Sequence, residues 1–247
     1  MKLTDKIYTK FRSAVGQIAV LIDPEKTNTL EVLTPIIQKA EFAKIDYFFI
    51  GGSSVSKEDF QSTIHLLRSL TSIPIIIFPG DHQQISKEAD ALLYLSLLSG
   101  RNPEYLIGQH VKSAQEVLAL PLEIIPTAYI LIDGGVYSST SYISQTTPIP
   151  HDNETIALNT AIAGTLQGKK VVYFDAGSGA KHTINPHLIQ KLKSELDTVV
   201  IVGGGIRDVA HIESFTKAGA NIVVIGNRIE EDIDFLLDIH HFTEKRS

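Results

Sequence analysis

Eight short apolar runs alternate with longer amphipathic segments along the chain, and this alternation limits the fold more than any other feature of its 247 residues. Runs of this kind, rich in Val and Ile, are typical of strands buried in a parallel sheet. They cover residues 17–23, 47–51, 74–78, 91–97, 123–132, 170–175, 198–202 and 221–225. Because no linker separates the strand–helix units, the pattern favours one (β/α)8 TIM barrel over residues 1–247 rather than an open doubly wound sheet.

The segments between the runs carry apolar stripes of the kind that a helix packs against a sheet. In two segments these residues recur at helical spacing: Leu30, Leu33 and Ile37, and Phe60, Ile64 and Leu67. Two pairs have the spacing of capping boxes: Asn28 with Glu31, and Ser56 with Asp59. Residues 1–12 mix charged residues with single apolar ones and lack the continuous apolar core of a signal peptide. We therefore expect a short N-terminal helix there. Residues 133–153, rich in Gly, Ser and Thr, predict a long irregular loop at the functional face before a helix near Glu154.

Composition excludes several classes of function. A formal net charge of −6 argues against a nucleic-acid partner, which would need clustered Lys and Arg. The absence of cysteine excludes disulfides and thiol catalysis and fits a cytoplasmic protein. The nine histidines lack the spacing of zinc ligands. Every apolar run falls short of the ~18 residues that a membrane span requires, so we expect no transmembrane segment.

Three runs in the last third of the chain end in glycine and predict a phosphate site. Gly177 and Gly179 follow the sixth run, Gly203 to Gly205 end the seventh, and Gly226 with Asn227 follows the eighth. Barrel enzymes commonly bind phosphate in the loops after strands 7 and 8, where glycine lets backbone N–H groups approach an anion. The alternative is that the glycines merely terminate strands.

Two oxygen-bearing side chains follow the first two runs and form a candidate magnesium site. Asp23 comes directly before Pro24, which fixes the turn behind it, and Ser53 follows a Gly-Gly pair. Magnesium is held in proteins by one or two carboxylates together with phosphate oxygens of the substrate. The alternatives are a solvated charged loop for Asp23 and a helix cap for Ser53. Lys26 would add positive charge beside a bound diphosphate.

Tyr173 and Asp175 alternate with Phe174 in the sixth run, so both side chains should point into the barrel. At a strand end a hydroxyl and a carboxylate can orient and deprotonate an alcohol substrate. The alternative is a satisfied hydrogen bond within the core. Near the ends of the fourth and fifth runs a further set of residues could line an apolar trough or belong simply to the core. They are Tyr94, Leu97, Leu98, Tyr105 and Tyr129.

Six motifs in order along the chain carry a resemblance to a known family. They are LIDPEK at 21–26, FIGGS at 49–53, PTAY at 126–129, YFDAGSG at 173–179, VGGGIR at 202–207 and IGN at 225–227. Each motif is weak alone, but together they span nearly the whole chain. The sequence resembles the geranylgeranylglyceryl phosphate synthase family.

The resemblance implies a prenyltransferase that transfers a polyprenyl group, geranylgeranyl in this family, from its diphosphate to the C3 hydroxyl of sn-glycerol 1-phosphate and so forms an ether bond. By similarity, Asp23 and Ser53 would hold Mg²⁺ against the diphosphate, and Asp175 and Tyr173 would be catalytic. The residues that would bind glycerol phosphate are Tyr173, Phe174, Asp175, Ala176, Gly177, Ser178, Gly179, Gly204, Gly205, Gly226 and Asn227.

The chain departs from the family at Asp175, where Glu is common, and one lost methylene moves a carboxylate by roughly 1.5 Å. Tyr142 lies eight residues before Pro150, similar to an aromatic residue at subunit contacts in larger assemblies of the family. The resemblance thus implies a homo-oligomer, a dimer or a hexamer. Transient contact with a membrane surface would release the product.

Two other functions remain open on the sequence. Another phosphate-binding barrel enzyme, an isomerase or an aldolase, would explain the glycines equally well. It would not explain Asp23 paired with Ser53, and no lysine lies within a strand core to form a Schiff base. The second alternative is a barrel that binds phosphorylated ligands without catalysis, which the Asp at position 175 would permit.

Overall fold

Eight parallel strands close into a barrel in chain order in the computed structural model, which describes residues 5–246. The strands are β1 Gln17–Ile22, β2 Tyr47–Ile50, β3 Ile75–Ile77, β4 Ala91–Leu97, β5 Glu123–Leu131, β6 Val171–Asp175, β7 Val199–Gly203 and β8 Ile222–Ile225. Every predicted run contains one strand, and no boundary differs by more than one residue. The structure thus confirms the (β/α)8 barrel.

The helices are α1 Lys6–Ser13, α2 Leu30–Phe42, α3 Lys57–Leu70, α4 Gln109–Ala119, α5 Ser139–Ser144, α6 Glu154–Leu166, α7 Pro186–Glu195, α8 Val209–Ala218, α9 Asn227–Glu231 and α10 Phe235–Arg246. A π-helical turn, Glu104–Gly108, leads into α4. The expectation of a helix after every strand is wrong between β3 and β4, where residues 78–90 form a loop. That segment is polar and lacks an apolar stripe that could pack a helix on the barrel. None of the helices in the described range is long and apolar enough to cross a membrane.

Side chains alternate along the strands between two apolar layers. One layer fills the barrel and includes Tyr47, Tyr129 and Tyr173, while the other lies between the strands and the helices and includes Phe174. Because both faces of these parallel strands are buried, each strand appears in the sequence as a continuous apolar run. This alternation decides which residues of a strand end can reach the mouth of the barrel.

The N-terminal helix α1 covers the barrel end opposite the site. Phe11 is fully buried, and its ring meets the Tyr47 ring edge-on at 5.0 Å. The buried carboxylate of Glu123 accepts hydrogen bonds from the backbone N–H groups of Ile7 and Tyr8, each at 2.7 Å. The predicted helix is confirmed from Lys6 onward, whereas residues 1–4 lie outside the described range.

The helix-start predictions have different outcomes for α2 and α3. Ser56 caps α3 as expected, because its Oγ accepts a hydrogen bond from the Asp59 N–H at 3.0 Å. The Asn28 box is wrong, since α2 begins at Leu30 and its N-cap position is Thr29, which makes no side-chain cap bond. Leu30 is 51% exposed. The buried stripe of α2 is instead Leu33, Ile36, Ile37 and Ala40, and the predicted stripe of α3 is confirmed.

The segment between β5 and α6 is more ordered than the predicted irregular loop. It contains α5, whose first turn is capped by the Ser138 hydroxyl accepting from the Ser141 N–H at 3.2 Å. Ile132 and Ile149 form an isolated parallel bridge that closes the segment on itself. The predicted helix near Glu154 begins at that residue. The segment therefore holds α5 over the barrel mouth.

Candidate active site

The carboxyl ends of the strands surround a mouth cavity of about 1330 Å³, part of it open to solvent. It is lined by most of the residues predicted from the sequence: Asp23, Ser53, Tyr173, Asp175, Gly177, Ser178, Gly179, Gly204, Gly205, Gly226 and Asn227. Two predicted binding residues do not line it. The Phe174 side chain is fully buried in the outer layer, because alternation turns it away from the barrel interior, and Ala176 is 2% exposed.

The glycine-rich ends of β6, β7 and β8 form one side of the mouth. Gly204 has a φ of +87°, and a Cβ there would lie 2.8 Å from the backbone nitrogens of Ala176 and Gly177. Only glycine fits this contact between two strand ends. Asn227 joins the loops, since its Oδ1 accepts from the Ser178 hydroxyl at 2.9 Å and the Gly179 N–H at 3.3 Å. The result is a concave surface of backbone that suits an anion.

Two arginines that the sequence reasoning missed also line the mouth. Arg207 donates to the Ala180 carbonyl at 3.3 Å, and the Arg228 Nε donates to the Arg207 carbonyl at 3.2 Å. Both guanidinium groups lie beside the glycine loops, and that of Arg228 is also paired with the Asp232 carboxylate at 2.9 Å. The sequence signal was their position, since Arg207 follows the β7 glycines closely and Arg228 follows Asn227.

Asp175 lies buried at the end of β6 with both carboxylate oxygens engaged. Its Oδ2 accepts a hydrogen bond from the Tyr129 hydroxyl at 2.5 Å, and its Oδ1 accepts from the Gly177 N–H at 2.8 Å. Burial raises the pKa of Asp175 above its usual value, although the bonds from Tyr129 and Gly177 oppose this effect. A carboxylate with a raised pKa is a stronger base.

Tyr129, and not the neighbouring Tyr173, donates the side-chain hydrogen bond to Asp175. Tyr173 does point into the barrel, but it stacks against Phe78 at 5.1 Å and meets Tyr129 edge-on at 5.5 Å. Tyr129 pairs with Tyr173 in the strand register, one step below Leu131 and Asp175 on the same face. The Tyr129 side chain is long enough to cross the distance between these two residue pairs, and its hydroxyl reaches the Asp175 carboxylate. The sequence indicated Tyr129 only as a trough residue.

Asp23 and Ser53 form a second side of the mouth, after β1 and β2, and β1 is the neighbour of β8 in the closed barrel. The Asp23 Oδ1 accepts from the Glu25 N–H at 3.1 Å, and the Ser53 and Thr140 hydroxyls are 3.2 Å apart. Among residues 5–246 no group of three or more His, Cys, Asp or Glu side chains is arranged to hold a metal ion by itself. One carboxylate and one hydroxyl facing an open mouth fit a Mg²⁺ ion that obtains its remaining ligands from substrate phosphates and water.

Lys26 connects the two sides of the mouth. Its Nζ is 2.7 Å from the Glu230 Oε2 of α9 and 3.7 Å from the Asp23 Oδ2. Burial alone would lower the pKa of Lys26, but the carboxylates of Glu230 and Asp23 raise it above its usual value. The lysine therefore stays protonated and holds the β1 loop against the β8 loop.

An apolar trough of about 840 Å³, partly open to solvent, lies beside the mouth. Of the five predicted trough residues, Tyr94, Leu97, Tyr105 and Tyr129 line it. The prediction for Leu98 is wrong, because its side chain packs against Gly164 of α6. The missing helix between β3 and β4 leaves the loop at residues 78–90 as one wall. Residues Gly52, Ser53, Phe78 and Thr140 border both the trough and the mouth.

A closed parallel barrel whose polar mouth meets an apolar trough at the carboxyl ends of its strands is typical of a barrel enzyme whose active site has a polar and an apolar part. Comparison with known proteins gives a narrower assignment. The family model described as the PcrB family matches residues 12–244, and the chain belongs to this family. It is an enzyme of the prenyltransferase class.

Three relatives show how far the similarity extends. The geranylgeranylglyceryl phosphate synthase of Chitinophaga pinensis is 47% identical over 239 residues, which are 95% of this chain and 94% of the relative. The protein of the same name from Pyrococcus abyssi is 37% identical over 212 residues, 85% and 83% of the two chains. The crystal structure of (S)-3-O-geranylgeranylglyceryl phosphate synthase from Thermoplasma acidophilum with its substrate sn-glycerol-1-phosphate matches with a TM-score of 0.87, at 32% identity, and covers 99% of this chain and 98% of that one.

Proposed function

We propose that this protein transfers a polyprenyl group, geranylgeranyl in the first instance, from its diphosphate to the C3 hydroxyl of sn-glycerol 1-phosphate. The product is an ether-linked prenylglyceryl phosphate. The observation that carries the proposal is the shared border of mouth and trough, which would bring a polar acceptor and an apolar donor together beside Asp175. The names of the relatives and the substrate in the Thermoplasma acidophilum structure support the same reaction.

The acceptor phosphate would bind at the glycine loops of β7 and β8. Gly205 and Gly226 line the mouth at these loops, and backbone N–H groups at such strand ends can donate to phosphate oxygens. Arg207 and Arg228 supply positive charge beside them. Bound there, the glycerol would extend toward Asp175 at the end of β6, which is the neighbouring strand of β7.

The donor would lie with its tail in the trough and its diphosphate at Asp23 and Ser53. Tyr94, Leu97 and Tyr105 offer the tail an apolar wall. When bound at Asp23 and Ser53, Mg²⁺ would neutralise the charge that develops on the departing diphosphate. Lys26 places a protonated amine 3.7 Å from the same Asp23 carboxylate.

Asp175 is the group that would accept the proton of the acceptor hydroxyl. It is the buried carboxylate among the residues that line the mouth, and its pKa is raised, first of all by burial. As the C–O bond of the donor breaks, the acceptor oxygen attacks C1 of the prenyl group and loses its proton toward this carboxylate. The phosphate at the glycine loops would hold the reacting oxygen in place.

The proposal is tested by incubating the purified protein with labelled sn-glycerol 1-phosphate, Mg²⁺ and a series of prenyl diphosphates of increasing length. We expect a lipid-soluble labelled ether with at least one donor. The matched control replaces the acceptor by sn-glycerol 3-phosphate, which should react far more slowly because its hydroxyl points away from Asp175. Absence of a lipid-soluble product with every donor would refute the assignment.

A further inference from the structure

Tyr129 donates the shorter of the two hydrogen bonds that engage the Asp175 carboxylate. The distance from its Oη to Oδ2 is 2.5 Å, against 2.8 Å from the Gly177 nitrogen to Oδ1. A hydroxyl donating to a carboxylate at this distance forms a charge-assisted bond of the strong kind. The phenol therefore occupies Oδ2, and a proton that reaches this oxygen from the trough side must pass the Tyr129 hydroxyl.

The position of Tyr129 relative to the two cavities gives its hydrogen bond to Asp175 a place in the reaction. Tyr129 lines the trough, whereas Asp175 lines the mouth. The Tyr129 ring meets Phe78 edge-on at 5.6 Å, and Phe78 borders both cavities. The phenol thus joins the carboxylate of the mouth to the wall of the trough, beside the Phe78 ring that borders both cavities.

We propose that Tyr129 is a catalytic residue that relays the proton of the acceptor hydroxyl to Asp175. This inference rests on the proposed function. The acceptor hydroxyl gives its proton to the Tyr129 Oη while Tyr129 gives its own proton to the Asp175 Oδ2. The acceptor oxygen forms its bond to C1 of the prenyl group, and the diphosphate leaves with the electron pair of the broken C–O bond. Tyr129 ends the step as a neutral phenol and Asp175 as a neutral acid.

The environment of the Tyr129–Asp175 pair favours a relay in which the phenol of Tyr129 is never ionised. Burial, and then the neighbouring Asp175 carboxylate, raise the pKa of Tyr129 well above its usual value, although a hydrogen bond with the Thr140 side chain opposes this shift. Tyr129 is accordingly protonated before the reaction, and it can give its proton to Asp175 only as it receives the proton of the acceptor hydroxyl. Tyr173 lies on the same face of the barrel, but its ring stacks on Phe78, and Asp175 takes its hydrogen bond from Tyr129.

The test removes the hydroxyl and keeps the ring. Tyr129→Phe should lower the rate constant measured in single-turnover assays by about 100-fold, which is the usual scale for the loss of a proton-transfer group. Calorimetric binding of sn-glycerol 1-phosphate should stay within about twofold, since the phosphate contacts lie on β7 and β8. The matched control is Tyr47→Phe, which deletes a buried tyrosine hydroxyl bonded to Gln17 at the far end of the barrel and should leave kcat within about twofold.

A second substitution separates a relay from a positioning role. In the Tyr129→Phe background, Asp175→Glu extends the carboxylate by one methylene into the space of the lost hydroxyl and should restore kcat by about tenfold through direct transfer. A mere loss of support for Asp175 would not be repaired in this way. Unchanged kcat in Tyr129→Phe, or a loss that Asp175→Glu does not repair, would overturn the relay.

If Tyr129→Phe does not fold, 3-fluorotyrosine at position 129 retains every packing contact and alters the acidity of the phenol. A relay requires kcat to change with that acidity, and an unchanged kcat would overturn it. Product formation by the wild-type protein tests the proposed function separately, because it does not depend on which residue carries the proton.

Discussion

Asp175 is the residue on which the proposed chemistry depends most. We predict that Asp175→Asn abolishes turnover and leaves binding of sn-glycerol 1-phosphate nearly unchanged, because an amide keeps the size of the side chain but cannot accept the proton. Loss of a general base commonly lowers rates by about 10²- to 10⁴-fold. Product assays combined with calorimetry check this expectation. Turnover near the wild-type rate would remove Asp175 from the base role.

The pH dependence of the reaction should reflect the same side chain. A base acts in its ionised form, so kcat/KM should rise with pH through the pKa of Asp175 in the free enzyme. Because burial raises this pKa, the acidic limb should lie above the range of an ordinary aspartate. A pH profile of kcat/KM measures it, and an acidic limb at the ordinary aspartate value would show that another group limits the rate.

For single residues, the sequence predicted the positions of the side chains better than their hydrogen-bond partners. Asp23 and Ser53 follow strands and Asp175 ends one, and the carboxyl ends of parallel strands always meet at one face, so their gathering in the mouth could be expected. The bond between Tyr129 and Asp175 could not, because it joins residues on neighbouring strands at different levels of the barrel. Such contacts depend on strand register, which a run of apolar residues does not specify.

Among the elements, the starts of α2 and α3 make a matched pair. Ser56 caps α3 through a hydrogen bond to the Asp59 N–H, whereas Thr29 at the same position of α2 makes none. We predict that Ser56→Ala lowers the free energy of unfolding by about 1 kcal/mol and that Thr29→Ala changes it by only a few tenths of that amount. Urea denaturation of both variants measures the difference. Equal losses would show that the Ser56 bond does not carry the effect.

Elements with their own sequence pattern were predicted well, and elements defined by packing were not. The strands agree to within one residue because Val-rich and Ile-rich runs bounded by polar segments have few alternatives. The loop at residues 78–90 replaces an expected helix, and α5 replaces part of an expected loop. Both segments are short and polar, so contacts with the rest of the barrel decide their structure. Both also border the trough, whose shape was therefore the least predictable part of the site.

At the scale of the molecule, we propose that the protein forms a homo-oligomer, a dimer or a hexamer. Tyr137 and Tyr142 are 76% and 71% exposed, and their rings meet edge-on at 6.4 Å beside a surface groove at residues 133–150. Large exposed aromatic rings are enriched at protein interfaces. Light scattering should give a mass that is a multiple of 27.1 kDa. A monomer whose mass does not change with concentration would contradict the proposal.

In the proposed reaction the mouth holds the acceptor, the trough holds the donor, and Asp175 lies where they meet. A crystal structure of the Asp175→Asn variant with sn-glycerol 1-phosphate, Mg²⁺ and an unreactive prenyl thiodiphosphate tests this most directly. We expect the acceptor phosphate at Gly205 and Gly226, the prenyl tail against Leu97 and Tyr105, and the C3 hydroxyl beside residue 175 and the Tyr129 hydroxyl, facing the donor's C1. A phosphate bound away from the glycine loops, or a tail outside the trough, would contradict it.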